Sequence, residues 1–283
     1  MRISLTKGRL IAALLVLFCT KRSREMPTTI IEGLEISYDH YPPRDDAQGT
    51  RVIYIHGTGC NAKVFADHLG AISQKHEVVA IDLPGHGGSQ GSGFRSAVEH
   101  GFFVGELIRH LGWDSCVVAG HSLGGGIALA VAIYFQELTR GLLLIDTGAR
   151  LRVNPKVIEL SRKAAEGDVV VGGDSRLGYA DTTPQDVVDR VNAASAGCDP
   201  KVVYKDWIAD DSFDFMSRLG QITVPTLAIC GTEDQLTPMK YHEFFCKNMP
   251  QCALVTVADA GHWPFVENPA AFDAAVGEFL AGL

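Results

Sequence analysis

Three residues have the types and surroundings needed to transfer an acyl group: Ser122, Asp234 and His262. Ser122 sits between glycines in G-H-S-L-G, residues 120–124. A serine hydroxyl is a weak nucleophile until a base takes its proton. His262, in A-D-A-G-H-W-P, supplies an imidazole, and Asp234, in C-G-T-E-D-Q-L-T-P, supplies a carboxylate to fix its tautomer and stabilise the imidazolium. The chain order is serine, aspartate, histidine. The oxyanion formed by attack on a carbonyl needs backbone N–H donors. H-G-T-G, residues 56–59, offers the amide of Thr58, with Gly59 as a helper, and the amide of Leu123 follows the nucleophile. Together these parts would acylate Ser122, with His262 as general base, and then pass the acyl group to water.

Such a site works only if the chain places its parts, and the sequence between them alternates strand and helix. Short aliphatic runs at 51–56, 78–82, 116–120, 142–146, 226–230 and 253–257 are apolar almost throughout, as strands buried on both faces of a parallel sheet should be. Helical patterns fall between them at 97–111, where Val98, Phe102, Leu107, Ile108 and Leu111 can share a stripe, and at 127–136. An α/β doubly wound sheet follows, with its ligand site at the carboxyl ends of the strands. Ser122, Asp234 and His262 each come just after such a run. G-x-S-x-G alone would also fit a simple tight turn; the preceding strand and following helix make it a nucleophile elbow. Its two glycines are expected to stand where a Cβ would strike the neighbouring strand or helix. His56 and His86, in D-L-P-G-H-G, read as structural. Asp146, at the end of L-L-L-I-D, competes for the role of acid, and its simpler reading is a carboxylate bonded to the turn that follows.

Between Asp146 and Val224 no comparable strand occurs, while 156–165, 184–194 and 204–219 look helical and charge-rich. So long a stretch is not a bare loop, since structureless connections beyond ~15 residues are uncommon. The expected organisation is a core of residues 26–148 and 222–283 with a helical cap at 149–221. Tyr179, Trp207, Phe213, Phe215 and Met216 could line a pocket beneath the cap, although aromatic residues at such spacing more often pack. Residues 1–25 stand apart. Leu10 to Cys19 is an apolar run flanked by basic residues, without a small-x-small cleavage site and shorter than the ~20 residues of a spanning helix. They read as an upstream extension, with an uncleaved membrane anchor as second choice.

The chain has 283 residues, 46% of them hydrophobic and 20% charged, with a net charge of -8. An acidic balance disfavours nucleic acid as partner. A small molecule is expected instead, with no membrane role and a cytoplasmic location, while oligomeric state is left open. The seven cysteines lack any C-x-x-C pair and read as reduced thiols, neither a disulfide framework nor a zinc site.

The motifs H-G-T-G, D-L-P-G-H-G, G-H-S-L-G-G, P-T-L-A-I-C-G-T-E-D and A-G-H-W-P-F-V-E-N-P occur in an order that resembles the α/β-hydrolase superfamily from about Met26 to the C-terminus, most weakly across the cap. The resemblance implies an α/β-hydrolase fold: a mostly parallel eight-stranded sheet flanked by helices, with an inserted helical cap. It also implies no cofactor or metal, and hydrolysis of a small carboxylic ester through an acyl-enzyme on Ser122. Serine at the elbow argues against haloalkane dehalogenases and epoxide hydrolases, which carry aspartate there. Lactonase, thioesterase and C–C bond hydrolase activities use the same three residues, and a non-catalytic ligand-binding protein on this fold is a further alternative.

Overall fold

The computed structural model describes residues 27–42, 49–170 and 176–283. The expected extension at 1–25 lies outside the described residues. The first elements form a hairpin, β1 (Thr28–Ile31) and β2 (Leu34–Tyr41), turning at Glu32 and Gly33 with φ of 49° and 80°. Both turn residues having positive φ matches the twist of a two-residue hairpin. Then come β3 (Arg51–Ile55), α1 (Ala66–Ile72), β4 (Glu77–Ile81), α2 (Ala97–His110), β5 (Cys116–His121), α3 (Leu123–Tyr134) and β6 (Thr139–Ile145). Three helices follow: α4 (Pro155–Glu166), α5 (Gln185–Ser195) and α6 (Pro200–Ser212). The chain closes with β7 (Thr226–Gly231), α7 (Met239–Asn248), β8 (Cys252–Val257), α8 (Pro264–Glu267) and α9 (Pro269–Ala281).

The eight strands form one sheet in the order β1-β2-β4-β3-β5-β6-β7-β8. Pairing is antiparallel at β1/β2 and β2/β4 and parallel from β4 to β8. This is the α/β-hydrolase architecture expected above. Strand alternation splits the core in two. Ile53 and Ile55 face the layer of α2, α3 and α7, whereas Val52 and Tyr54 face that of α1 and α9. Helix α3 is apolar nearly all round, because it packs centrally against the sheet and α2.

Three details differ from the sequence reading. Phe102 does not join the buried stripe of α2: it is half exposed and stacks on Tyr134, while its neighbour Phe103 turns inward. The helix expected over 204–219 runs instead from Pro200, capped by the Asp199 side chain, and ends at Ser212; a 3-10 turn covers Met216–Gln221. Not all the cysteines are free thiols, because Cys246, near the end of α7, is disulfide-bonded to Cys252, the first residue of β8. A short reversal after α7 brings their Cα atoms to 4.7 Å, a proximity that six-residue spacing in an apolar context does not signal.

Candidate active site

Ser122 occupies the sharp turn between β5 and α3 with φ of 54°, a strained value for a residue with a Cβ. Crowding explains the flanking glycines. A Cβ on Gly120 would lie 2.0 Å from the Gly124 carbonyl oxygen, and one on Gly124 would lie 2.2 Å from that of Ile55. The turn is tied down on several sides. Ser122 N–H donates to Ile145 O at 3.1 Å, and the Thr147 hydroxyl donates to Ser122 O at 2.7 Å.

Asp234 and His262 meet directly, Oδ2 to Nδ1 at 2.9 Å, with both side chains buried. The carboxylate is well anchored: its Oδ1 accepts from the amides of Leu236 at 2.7 Å and Thr237 at 3.1 Å, and Oδ2 accepts from the Thr237 hydroxyl. Burial works against ionisation of Asp234, but the His262 imidazolium and the Thr237 donors prevail and hold the carboxyl well below the usual range. The loops carrying the two residues are joined by Thr232 N–H to Val257 O and Glu233 N–H to Ala260 O, each 2.9 Å. His121, beside Ser122, donates from Nε2 to His262 O at 2.7 Å, linking the serine turn to the histidine loop.

The loop after β3 completes the group. A Cβ on Gly57 would stand 3.0 Å from the Ser122 Cβ, so Thr58 follows beside the Ser122 turn. Leu123 is the first residue of α3, and its amide has no acceptor within that helix. Gly59 is not a free donor. Its N–H is taken by Asp206 Oδ2 of α6 at 2.9 Å, so it does not serve as the expected helper of Thr58. His56 is structural: Nδ1 donates to Gly57 O at 2.8 Å and Nε2 accepts from Leu83 N–H at 3.1 Å.

Asp146 is fully buried with φ of 39°, and its Oδ1 accepts from Gly231 N–H at 2.9 Å. Burial and the neighbouring Asp234 carboxylate push its carboxyl well up, so it is the neutral acid of the two. Two buried clusters have possible metal-ligand atoms within 4.8 Å of one another, Asp146–Asp234–His262 and Asp146–Cys230–His242. In each, at least two of the residues are already engaged through one atom. Asp234 accepts the four hydrogen bonds above, and His242 Nε2 accepts from Thr147 N–H at 3.2 Å. Neither set resembles an open metal site.

Sequence reasoning missed Glu267, Asp206 and Asp210. Glu267 Oε1 accepts from the amides of Gly261 and Trp263, 3.0 Å each, and Oε2 accepts from Ala180 N–H at 2.9 Å, bracketing His262 between β8 and the inserted helices. Its place in the H-W-P-F-V-E motif was the available signal. Asp206 and Asp210 lie one turn apart on α6, a spacing indistinguishable from that of a solvated helix face.

A cavity of about 900 Å³ lies among α4, α5 and α6, lined by Val157, Leu160, Ala164, Val203 and Trp207 among others. It approaches the site at Val203, whose Cγ2 is 3.3 Å from a Cβ placed on Gly59. Trp207 lines it. Tyr179 instead stacks on Trp263, and Phe213 stacks on Phe215 and fills the space beside Gly126.

The alpha/beta hydrolase family profile matches residues 52–275. The chain belongs to this family. Among relatives of this hydrolase is the pimeloyl-[acyl-carrier protein] methyl ester esterase of Neisseria meningitidis, 28% identical over 247 residues, covering 82% of this chain and 77% of that protein. A solved thermophilic esterase is 32% identical with a TM-score of 0.76, covering 91% of this chain and 98% of that one. The enol-lactonase of Burkholderia xenovorans LB400 shares the fold, with a TM-score of 0.83 at 21% identity over 90% of this chain and all of the other. No helix among the described residues is long and apolar enough to cross a membrane.

Proposed function

We propose that this family member is a serine hydrolase that cleaves a small carboxylic ester through an acyl-enzyme. Ser122 is the nucleophile, His262 the general base and then acid, Asp234 the orienting carboxylate, and the Thr58 and Leu123 amides the oxyanion donors. The observation that carries this reading is the buried Asp234–His262 contact of 2.9 Å, joined through His121 to a serine on a positive-φ turn. The esterase relatives favour an ester over the other acyl derivatives.

Residues 149–221 act in this reading as a cap over the carboxyl ends of the strands. Two contacts support that role: His262 N–H donates to Gly178 O at 2.5 Å, and Asp206 holds the Gly59 amide. The cavity among α4 to α6 would take the apolar part of a small substrate. Among the described residues, four free cysteines, three of them buried, support a cytoplasmic location, and the Cys246–Cys252 bridge opposes it.

The test pairs covalent labelling with a substrate panel. A fluorophosphonate should label the protein at Ser122, and Ser122→Ala should lose both label and ester hydrolysis while keeping its fold. Hydrolysis of p-nitrophenyl esters of rising acyl length, a lactone and a thioester should then favour an ester. Ester hydrolysis retained above a trace by Ser122→Ala would remove Ser122 as nucleophile, and a preference for the lactone or thioester would reassign the substrate.

A further inference from the structure

Two carboxyl groups of α6 reach successive residues of the loop after β3. Asp206 Oδ2 accepts from Gly59 N–H at 2.9 Å and from His86 Nε2–H at 2.8 Å, and both side chains are fully buried. Asp210 Oδ2 accepts from the Thr58 hydroxyl at 2.6 Å, and its buried Oδ1 has no partner among the described residues. The loop that carries the proposed oxyanion donor is therefore gripped from above by two acids.

Among the described residues, His86 is the cation bonded to this pair. Burial opposes a charge on His86, but the Asp206 carboxylate and its hydrogen bond raise the imidazole to about 10, making these two an ion pair. The nearby cations are engaged elsewhere: Lys205 donates to Ser92 O and Gly93 O, and Arg152 to the carbonyls of Asp211 and Phe213. Asp211 stands on the same helix, Cys60 and Cys198 flank Asp206 and His86, and His100 from α2 is pushed down to about 4 by burial. Two carboxyls and one counter-ion leave one carboxyl that can only be neutral when buried. That one is Asp210, which burial raises to about 8, helped by Asp206 and Asp211 and opposed by the Thr58 hydrogen bond.

We propose that Asp210 is a positioning residue of the ester hydrolase: while protonated it holds Thr58 in place for the oxyanion, and its ionisation turns the site down. The inference rests on the function proposed above. An uncompensated carboxylate bonded to the Thr58 side chain would repel the negative charge that develops at the Thr58 amide, in a buried setting where water screens little. A general base alone gives a rate that rises with pH and levels off. Asp210 adds a fall on the alkaline side.

The experiment measures kcat and KM against pH for the full chain and for Asp210→Ala, Asp210→Asn and Thr58→Val, with a neutral ester as substrate. In the wild type, kcat/KM should fall about tenfold between about pH 7.5 and 9.5 as the buried carboxyl ionises. Asp210→Ala should lower kcat at neutral pH by about tenfold with little change in KM, since it frees the loop without touching the nucleophile. Asp210→Asn keeps an acceptor for the Thr58 hydroxyl, so it should recover most of that loss and abolish the alkaline fall. Thr58→Val retains the backbone amide but removes the bond that favours ionisation, moving the fall to higher pH.

An alkaline fall retained by Asp210→Asn would overturn the inference, as would a wild type that shows none. Fluorophosphonate labelling of Ser122 separates this failure from that of the proposed function. A labelled wild type with unaltered profiles in the variants sinks Asp210 alone, whereas absence of label at Ser122 removes the hydrolase reading beneath it.

Discussion

Replacing Asp234 by asparagine asks which acid serves His262, and the hydrogen bonds around the carboxylate fix what the new amide must do. Asp234 Oδ1 accepts two backbone N–H groups, Leu236 at 2.7 Å and Thr237 at 3.1 Å. An asparagine can satisfy them only with its oxygen in that position. Its NH₂ then takes the place of Oδ2, 2.9 Å from His262 Nδ1, where it must donate. The imidazole is forced to carry its proton on Nε2, the tautomer that cannot accept a proton from a serine, and it loses the charge that stabilises the imidazolium. The reverse orientation would set NH₂ against two N–H donors in a buried turn, at a cost of about 1–3 kcal/mol for each unmet group.

The expected loss in kcat is about 10³–10⁴, equivalent to roughly 4–5.5 kcal/mol of transition-state stabilisation. Asp146→Asn offers the contrast. Asp146 is the neutral member of the two buried acids, held by Gly231 N–H at Oδ1, so an amide of the same shape should change kcat by less than about tenfold. Initial rates on one p-nitrophenyl ester, with Ser122 labelling to count active sites, would measure both. Near-normal turnover in Asp234→Asn together with collapse in Asp146→Asn would refute the assignment and make Asp146 the acid.

Stability should depend on pH through Asp210. Its carboxyl is raised in the folded state to about 8, so the fold keeps a proton that the unfolded chain releases, and the stability this contributes is present below about pH 4 and lost as pH rises towards 8. Urea midpoints of Asp210→Asn should therefore gain on those of the wild type across that interval; parallel curves would show that the group ionises normally. Reducing the Cys246–Cys252 bridge, at the amino end of β8 and away from the strand ends that carry the site, should cost at most about 2 kcal/mol for so short a loop and leave kcat unchanged. A large loss of kcat on reduction would place the bridge in the catalytic apparatus. Neutral acyl esters should be preferred over dicarboxylate monoesters by about tenfold or more, because among the described residues the cavity lining includes Asp189 but no Lys or Arg to pair a second carboxylate. Faster turnover of the anionic substrate would reverse this.

What the sequence made legible was what strong local constraints impose. The runs that became β3 to β7 are buried on both faces, so apolar side chains fill nearly every position and the pattern survives without context; β8, at the sheet edge, keeps the apolar run with only Val257 buried. Gly120 and Gly124 were readable because backbone crowding leaves no room for a Cβ. Phe102 failed for the opposite reason: apolar character alone does not decide which side of α2 a ring takes, and here Tyr134 and Phe135 offer it a surface perch. The end of α6 was misplaced because the breaking point, at Ser212 and Phe213, carries neither glycine nor proline.

The residues left invisible act at long range. Asp206 and Asp210 meet Gly59 and Thr58 across 147 and 152 positions, and Glu267 reaches Ala180 across 87. No local periodicity encodes such contacts, and aspartates at i and i+4 on a helix ordinarily face water. Their burial here has a physical consequence. A carboxyl removed from water needs donors or a counter-ion, and the loop after β3 and His86 supply them. The inserted helices are therefore coupled to the loop after β3 by polar contacts that are costly to break, rather than resting on it through apolar packing alone. In the function proposed above, that coupling gives the insertion a means to influence rate as well as substrate choice, since any shift of α6 must pull on Thr58 or abandon a buried acid.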